Sequence, residues 1–263
     1  MRATEIKSCY IGPEISPEQF IPEHIFLYLA KGTIHGYDGN KHHILNSGDY
    51  CLIRKNRLGR YNKVKINDAF EKIFVIFDAS FLKRFQEKYK TNITKFNSND
   101  VFIQIKPTEL IPNYIQSLMP LYNHLGKIEE PFAELKREEL LLILLKSQPE
   151  LSGVLFDFGK PEKINLEAFM TKNFKFNVSI QRFAYLTGRS LSAFKRDFKE
   201  IFNDTPNHWL ITMRLKEAHF LLDKKQEKPS DIYLDLGFED LSHFSFSFKK
   251  QFGYAPSHLT KMS

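Results

Sequence analysis

The sequence predicts two domains: a mostly β N-terminal half backed by a helical hairpin, and an all-helical C-terminal half with two helix-turn-helix units. Three observations predict this. The chain has 263 residues, more than one ordinary domain needs. Its hydrophobic pattern changes from short alternating runs before about residue 105 to a helical stripe after it. And one pattern occurs twice. Leu191-x-x-Phe194-x-x-x-Phe198-Lys199-x-x-Phe202-x-x-x-Pro206 returns as Leu241-x-x-Phe244-x-x-x-Phe248-Lys249-x-x-Phe252-x-x-x-Pro256. A Gly precedes each copy, at Gly188 and Gly237. A helix ending at Gly, a turn, and a second helix with an apolar stripe is the helix-turn-helix plan.

In the N-terminal half, Ile25-Phe26-Leu27-Tyr28-Leu29, Tyr50-Cys51-Leu52-Ile53 and Lys72-Ile73-Phe74-Val75-Ile76-Phe77 read as strands. Turn clusters at Asp38-Gly39-Asn40, Asn46-Ser47-Gly48-Asp49 and Asn67-Asp68 separate them. Short strands at this spacing predict a sandwich or barrel. A short helix follows at Ser80–Lys88, with Phe81, Leu82 and Phe85 on one face.

From Thr108 the stripe Leu110, Tyr114, Ile115, Leu118, Leu121, Tyr122 and Leu125 predicts a helix that Pro120 kinks. A second helix spans Pro131–Ser147. Its later half is apolar almost all round, which requires burial on more than one face. Its own sheet and a second copy of the chain are the two surfaces it is expected to meet, the alternative being burial wholly within one chain. The domain boundaries follow: 1–148 regulatory, 149–162 a linker that partly docks, and 163–263 helical. Helices are expected in the last part near Asn165–Asn173, Ser179–Thr187, Ser190–Phe202, Pro206–Lys224, Ser230–Leu236, Leu241–Phe252 and Ala255–Lys261. Ser179, Ser190 and Ser230 are the expected N-caps. Asn203 and Gly253 are the expected left-handed helix ends.

Charge is uneven. From Lys160 onward there are 17 basic and 12 acidic residues, against 21 and 19 before it. A basic C-terminal part suits a polyanion. Cys9 and Cys51 form no Cys-x-x-Cys pair and read as inert reduced thiols. The start of the chain lacks the apolar core of a signal peptide, and the longest apolar run is Leu140 to Leu145, too short to span a membrane. A cytoplasmic protein without a membrane partner is the expectation.

At about 100° per residue, the second repeated helix turns Leu241, Phe244, Phe248 and Phe252 inward and Ser242, Ser245, Phe246 and Lys249 outward, with His243 at the edge. The first turns Leu191, Phe194, Phe198 and Phe202 inward and Ser192, Lys195, Arg196 and Lys199 outward. Arg can grip guanine as a fork, Ser serves several bases, and Phe246 can lie on thymine methyls. Lys199, Lys249 and Lys250 sit late in their helices and are expected on phosphates, with Ser190. The joining helix, roughly 27 Å long at 1.5 Å per residue, would set the two faces about one duplex turn apart, near 34 Å.

These residues resemble the AraC/XylS family of bacterial transcription regulators. The matching text is Ser179-Ile180-x-x-Phe183-Ala184 with Gly188, Ser190 through Lys199, Arg214-Leu215-x-x-Ala218 with Leu221-Leu222, then Asp235-Leu236-Gly237-Phe238, Ser242-His243-Phe244, Phe248-Lys249-Lys250-x-Phe252-Gly253 and Pro256. The resemblance implies base contacts from Ser192, Lys195 and Arg196, and from Ser242, His243, Ser245 and Phe246. It implies promoter DNA and RNA polymerase as partners, activation of transcription, a homodimer, and a small-molecule or protein effector. The N-terminal half is more loosely similar to the family's cupin-like barrel or jelly roll, through Gly48-Asp49-Tyr50-Cys51-Leu52-Ile53-Arg54-Lys55-Asn56. Three positions depart from the family: Tyr233 for a small residue, Asn203 for Gly, and Phe246 for a frequent Arg.

A metal-dependent cupin enzyme with an accessory helical domain is the alternative. His24, His35, His42 and His43 form no His-x-His pair, and adjacent His42 and His43 on a strand face opposite ways. No nucleophile elbow, phosphate-binding Lys loop or Cys-x-x-Cys pair occurs. No catalytic residue, metal or cofactor is therefore expected.

Overall fold

The computed structural model describes residues 6–9, 19–123 and 127–259. Leu125, at the end of the expected first stripe, and Lys261, at the expected last helix end, lie outside them, as do His124 and the side chain of Cys9.

The strands among the described residues are β1 (Ile6–Cys9), β2 (Phe20–Ile21), β3 (His24–Lys31), β4 (Thr33–Tyr37), β5 (His42–Asn46), β6 (Tyr50–Ile53), β7 (Arg57–Leu58), β8 (Arg60–Val64), β9 (Glu71–Phe77) and β10 (Phe102–Gln104). A five-stranded sheet runs β1-β9-β3-β6-β10, a three-stranded one β5-β4-β8, and β2 pairs with β7. Phe26 stands opposite Val75 and Leu52, and Leu27 opposite Phe74 and Cys51. Because side chains alternate, Phe26, Leu52 and Val75 enter a core with the helices. Leu27, Cys51, Ile53 and Phe102 enter a second core with Ile34 and Leu45 of the smaller sheet. Burial on both faces explains why β3 and β9 read as nearly continuous apolar runs. Hydrogen bonding joins the described strands as three sheets and does not close them into a ring.

Helix α1 (Ala79–Tyr89) buries Phe81, Leu82 and Phe85 and is capped by Asp78, whose carboxylate accepts the Phe81 amide. Helix α2 (Leu110–Leu118) stops before Pro120, and a 3-10 turn, Met119–Leu121, replaces the expected kinked continuation. The proline cannot supply the amide that a further helical turn needs. Helix α3 (Phe132–Ser147) buries Leu140, Leu141 and Leu144 and leaves Phe132, Leu135 and Leu142 exposed. Its Arg137 is buried. Nε donates to the Ile76 carbonyl, Nη2 reaches Asp78 at 2.5 Å, and the guanidinium lies 4.1 Å from the centre of the Phe81 ring. One charged group thus ties the end of β9, the start of α1 and the middle of α3.

The segment expected as a linker, 149–162, divides in two. A 3-10 turn at Pro149–Leu151 and helix α4 (Ser152–Leu155) bury Leu151, Val154, Leu155 and Phe156 in the first core. Gly153 is needed there, since a Cβ would sit 2.2 Å from the Thr94 carbonyl oxygen. The boundary between the two compact units falls between Gly159 and Lys160.

The second unit carries α5 (Leu166–Asn173), α6 (Ile180–Leu186), α7 (Leu191–Phe202), α8 (Pro206–Lys224), α9 (Pro229–Ile232) and α10 (Leu241–Phe252), then a 3-10 turn at Pro256–His258. Ser179 and Ser190 cap α6 and α7 through their side chains. Asn203 and Gly253 close α7 and α10 with positive φ, 51° and 87°. Ser230 does not cap α9. Pro229 already occupies the first turn, and the Ser230 hydroxyl donates to Asp231 instead. The expected helix through Leu236 is only four residues long. No helix among the described residues is long and apolar enough to cross a membrane.

Candidate nucleic-acid interface

Helix α8 is the axle of the second unit, contacting both α7 and α10. It offers Trp209 to the first repeat and His219 to the second. Trp209 lies edge-on to Phe198 at 5.6 Å and against Phe202 at 4.6 Å. His219 stacks on Phe248 at 6.2 Å and shares a 2.8 Å hydrogen bond with the Tyr254 hydroxyl. Ten residues of helix separate these two contacts, about 15 Å.

Arg214 lies between them and is buried. Its guanidinium donates to three carbonyls: Phe174 at 2.8 Å, Phe176 at 2.8 Å and Gly237 at 2.9 Å. Burial lowers its pKa to about 10, which leaves it charged at neutral pH. The three carbonyls belong to the segment before the first helix-turn-helix and to the turn of the second. Arg214 therefore joins the two helix-turn-helix motifs. Gly237 has φ +82°, and a Cβ there would come within 2.7 Å of the Lys175 carbonyl oxygen and 2.9 Å of the guanidinium. Only a glycine combines that backbone with that approach. The spacing Leu210, Arg214, Ala218, Leu222 places Arg214 on the buried stripe of α8, which is the sequence signal for its structural role.

The inward residues separate by position. Phe194, Phe198, Phe244 and Phe248 are fully buried. Leu191, Phe202 and Phe252 are only half-buried, and Leu241, expected in the core, is exposed. Side chains lean toward the helix N-terminus, so the first residue of α10 projects past the end of its core. Tyr233 is accommodated half-buried at the edge of the second core.

The outward faces are accessible. On α7, Ser192, Lys195, Arg196 and Lys199 are exposed. On α10, Ser242, His243, Phe246, Lys249 and Lys250 are exposed and Ser245 is half-buried. Phe246 is 70% exposed, the most exposed large apolar side chain among the described residues. Lys195, Lys249 and Lys250 make no ion pair among the described residues. Ser190 uses its oxygen to accept the Ala193 amide at 3.3 Å, so its own hydrogen remains available. Lys199 curls onto the Asn203 carbonyl at 3.1 Å. The His243 ring sits edge-on to Phe238 at 5.7 Å.

Arg196 is held rather than free. Its Nη2 donates to Asp197 Oδ1 at 2.9 Å, while Arg189 Nε holds the other oxygen at 3.0 Å. Lys163 adds a third cation at 3.8 Å. The Arg189 and Arg196 hydrogen bonds keep the Asp197 carboxyl below its usual range. Asp197 was not singled out by the sequence; an acid beside a candidate reading arginine is the only signal it offered.

Among the described N-terminal histidines, His24 is buried, His35 and His42 are exposed, and His43 Nε2 meets Asp38 Oδ2 at 3.0 Å. No three His, Cys, Asp or Glu side chains among the described residues gather as a metal would need. Burial, with Asp49 nearby, pushes the Cys51 thiol to about 12, far above the range of reactive thiolates.

Two family models match the chain. Residues 24–154 match the ExsA N-terminal regulatory domain, and residues 183–262 match a helix-turn-helix domain. The virulence regulon transcriptional activator VirF of Yersinia enterocolitica is 26% identical over 248 residues, 89% of each chain. The HTH-type transcriptional regulator ExsA of Pseudomonas aeruginosa is 25% identical over 261 residues, covering 96% of this chain and 91% of its own. Among solved structures, a ToxT variant of Vibrio cholerae overlays with a TM-score of 0.44 at 12% identity, covering 98% of this chain and 94% of its own.

Proposed function

This chain belongs to the AraC/XylS family of transcription regulators, and from that footing we propose that it reads promoter DNA with α7 and α10 presented to successive major grooves. Ser192, Lys195, Arg196, Ser242, His243, Ser245 and Phe246 would meet base edges. Ser190, Lys199, Lys249 and Lys250 would meet phosphates. The observation that carries this reading is the pair of matched helices, each backed by buried phenylalanines and each turning serine, cations or Phe246 outward from one scaffold. Before Arg196 grips a guanine it must leave Asp197. That exchange gives up a surface ion pair of small net worth, less than a bidentate base contact returns.

The relatives VirF and ExsA are named as a transcriptional activator and a transcriptional regulator, which supports activation as the output; RNA polymerase as a partner and the cytoplasm as the site of action are part of the same proposal. The 21–159 unit would take the regulatory role, answering to a small molecule or protein and pairing two chains through the exposed Phe132, Leu135 and Leu142 of α3. No residue is assigned a catalytic role or a cofactor.

Genome-wide capture of bound DNA with sequencing tests the reading and names the operator. The expected result is a short recurring motif with two half-elements about one helical turn apart. Fragments with no shared motif would sink it. On the recovered operator, Arg196→Ala should cost about 1–3 kcal/mol of specific binding, read by fluorescence anisotropy against scrambled DNA. Unchanged discrimination would remove Arg196 from base reading.

A further inference from the structure

The loop after β6 does something the DNA-reading account leaves unused. Arg54, Lys55 and Arg57 follow one another around Asn56, whose φ of 54° turns the chain sharply. All three are half-buried. Lys55 Nζ lies 5.2 Å from the centre of the Phe158 ring, and Lys83 of α1 brings its own Nζ to 5.3 Å from the same ring. Two ammoniums from distant stretches of chain therefore share one ring, and Arg54 and Arg57 flank Lys55 in the loop.

Among the described residues none of the four cations makes an ion pair. Arg54 donates to the Ser98 carbonyl and Arg57 to the Asn56 carbonyl, both neutral acceptors. Asp157 is the carboxylate whose charge reaches Arg54, Lys55 and Arg57, and half-buried Glu23 adds a second toward Lys55. Burial lowers the pKa of all three loop cations, and Arg54 further opposes Arg57. Beneath them His24 is fully buried, and its Nδ1 accepts the Lys55 amide at 3.3 Å. Burial, then Lys55 and Arg54, hold that imidazole at a pKa of about 3, so it stays neutral at neutral pH. Like charges drawn together and partly desolvated are unfavourable by themselves. Guanidiniums and ammoniums gathered in one loop and its neighbour are the groups that match a multiply charged oxyanion.

We infer that Arg54, Lys55, Arg57 and Lys83 form a binding site for a multiply charged oxyanion, phosphoryl or polycarboxylate, with Asp157 as the chain's own competitor for it. Asp157 and Phe158 are the last residues before the boundary at Gly159. A bound anion thus meets the end of the regulatory unit where the chain leaves it. The binding itself does not depend on the DNA-reading proposal, since it is measured without DNA.

Calorimetric titration of the full chain with pyrophosphate, and separately with citrate, tests the site and separates the two chemistries. One of the two should saturate at a single site. Lys55→Gln and exposed Lys83→Gln should each weaken it by roughly fivefold. Asp157→Asn should tighten it by roughly threefold or more, a gain that misfolding cannot imitate. Binding indifferent to all three substitutions would place the anion elsewhere and overturn the inference. So would the absence of saturable binding of either anion to both the unaltered chain and Asp157→Asn.

Discussion

At the scale of single residues, burial decides chemistry more than residue type does. His24 illustrates this. Its folded pKa of about 3 lies below the ordinary 6.5, so between those values the unfolded chain binds a proton that the folded chain refuses. Stability must rise with pH across that window and fall on acidification, at about 1.4 kcal/mol per pH unit. Taking the protein from pH 7 to pH 5 should therefore cost the first unit about 2 kcal/mol, seen as a lower urea midpoint. His24→Gln should flatten that dependence, and an equal acid loss in the variant would show that another group is responsible. Lys249→Ala tests the opposite kind of residue, one whose side chain makes no ion pair among the described residues. It should weaken every duplex alike and reduce the salt slope by about 0.9. An unaltered slope would remove it from the phosphate contacts. The outward residues of α7 and α10 were legible from spacing, because a helix face is fixed by 100° steps. Leu241 was misplaced by the same rule, since periodicity does not say where a core ends.

At the scale of elements, the two repeats are alike in local grammar and differ in how they are joined. Ser190 and Asp240 cap α7 and α10, and Asn203 and Gly253 close them. What fixes one relative to the other is Arg214 with its three carbonyl partners, fitted against Gly237. Arg214→Met should cost about 3 kcal/mol, because hydrogen bonds to a charged group are lost and three buried acceptors are left bare. Arg214→Lys should recover part of that loss. Gly237→Ala should cost at least about 2 kcal/mol from positive φ and the close approach. Thermal unfolding reads both, and a change of less than 1 °C in either would refute the joint. Gly237 was visible in the sequence as a turn residue; its second duty, leaving room for a guanidinium, was not. Nor was the early end of α2, where a proline expected to kink a helix instead ended it.

At the scale of the whole chain, the exposed stripe of α3 is the test of assembly. Phe132, Leu135 and Leu142 are 54%, 59% and 41% exposed, an apolar surface of the kind that marks contact sites. Leu135→Glu combined with Leu142→Glu should convert a dimer of the full chain to monomer by sedimentation at micromolar concentration, with unchanged circular dichroism. A monomeric unaltered chain would refute pairing through this face.

What the sequence determined by itself was everything governed by neighbours three or four residues apart: the helices of the second unit, their caps, their outward faces and the alternation of the strands. Those features follow from backbone geometry that each short segment carries with it. The tertiary structure alone decided which distant groups meet. It placed Arg137 on Asp78, Arg214 on three carbonyls, residues 151–156 inside the first core, and Lys83 beside the cations of the 54–57 loop. Such meetings depend on the path of the chain through space. A local period holds no information about that path, because burial and charge are summed over contacts that sequence distance does not measure.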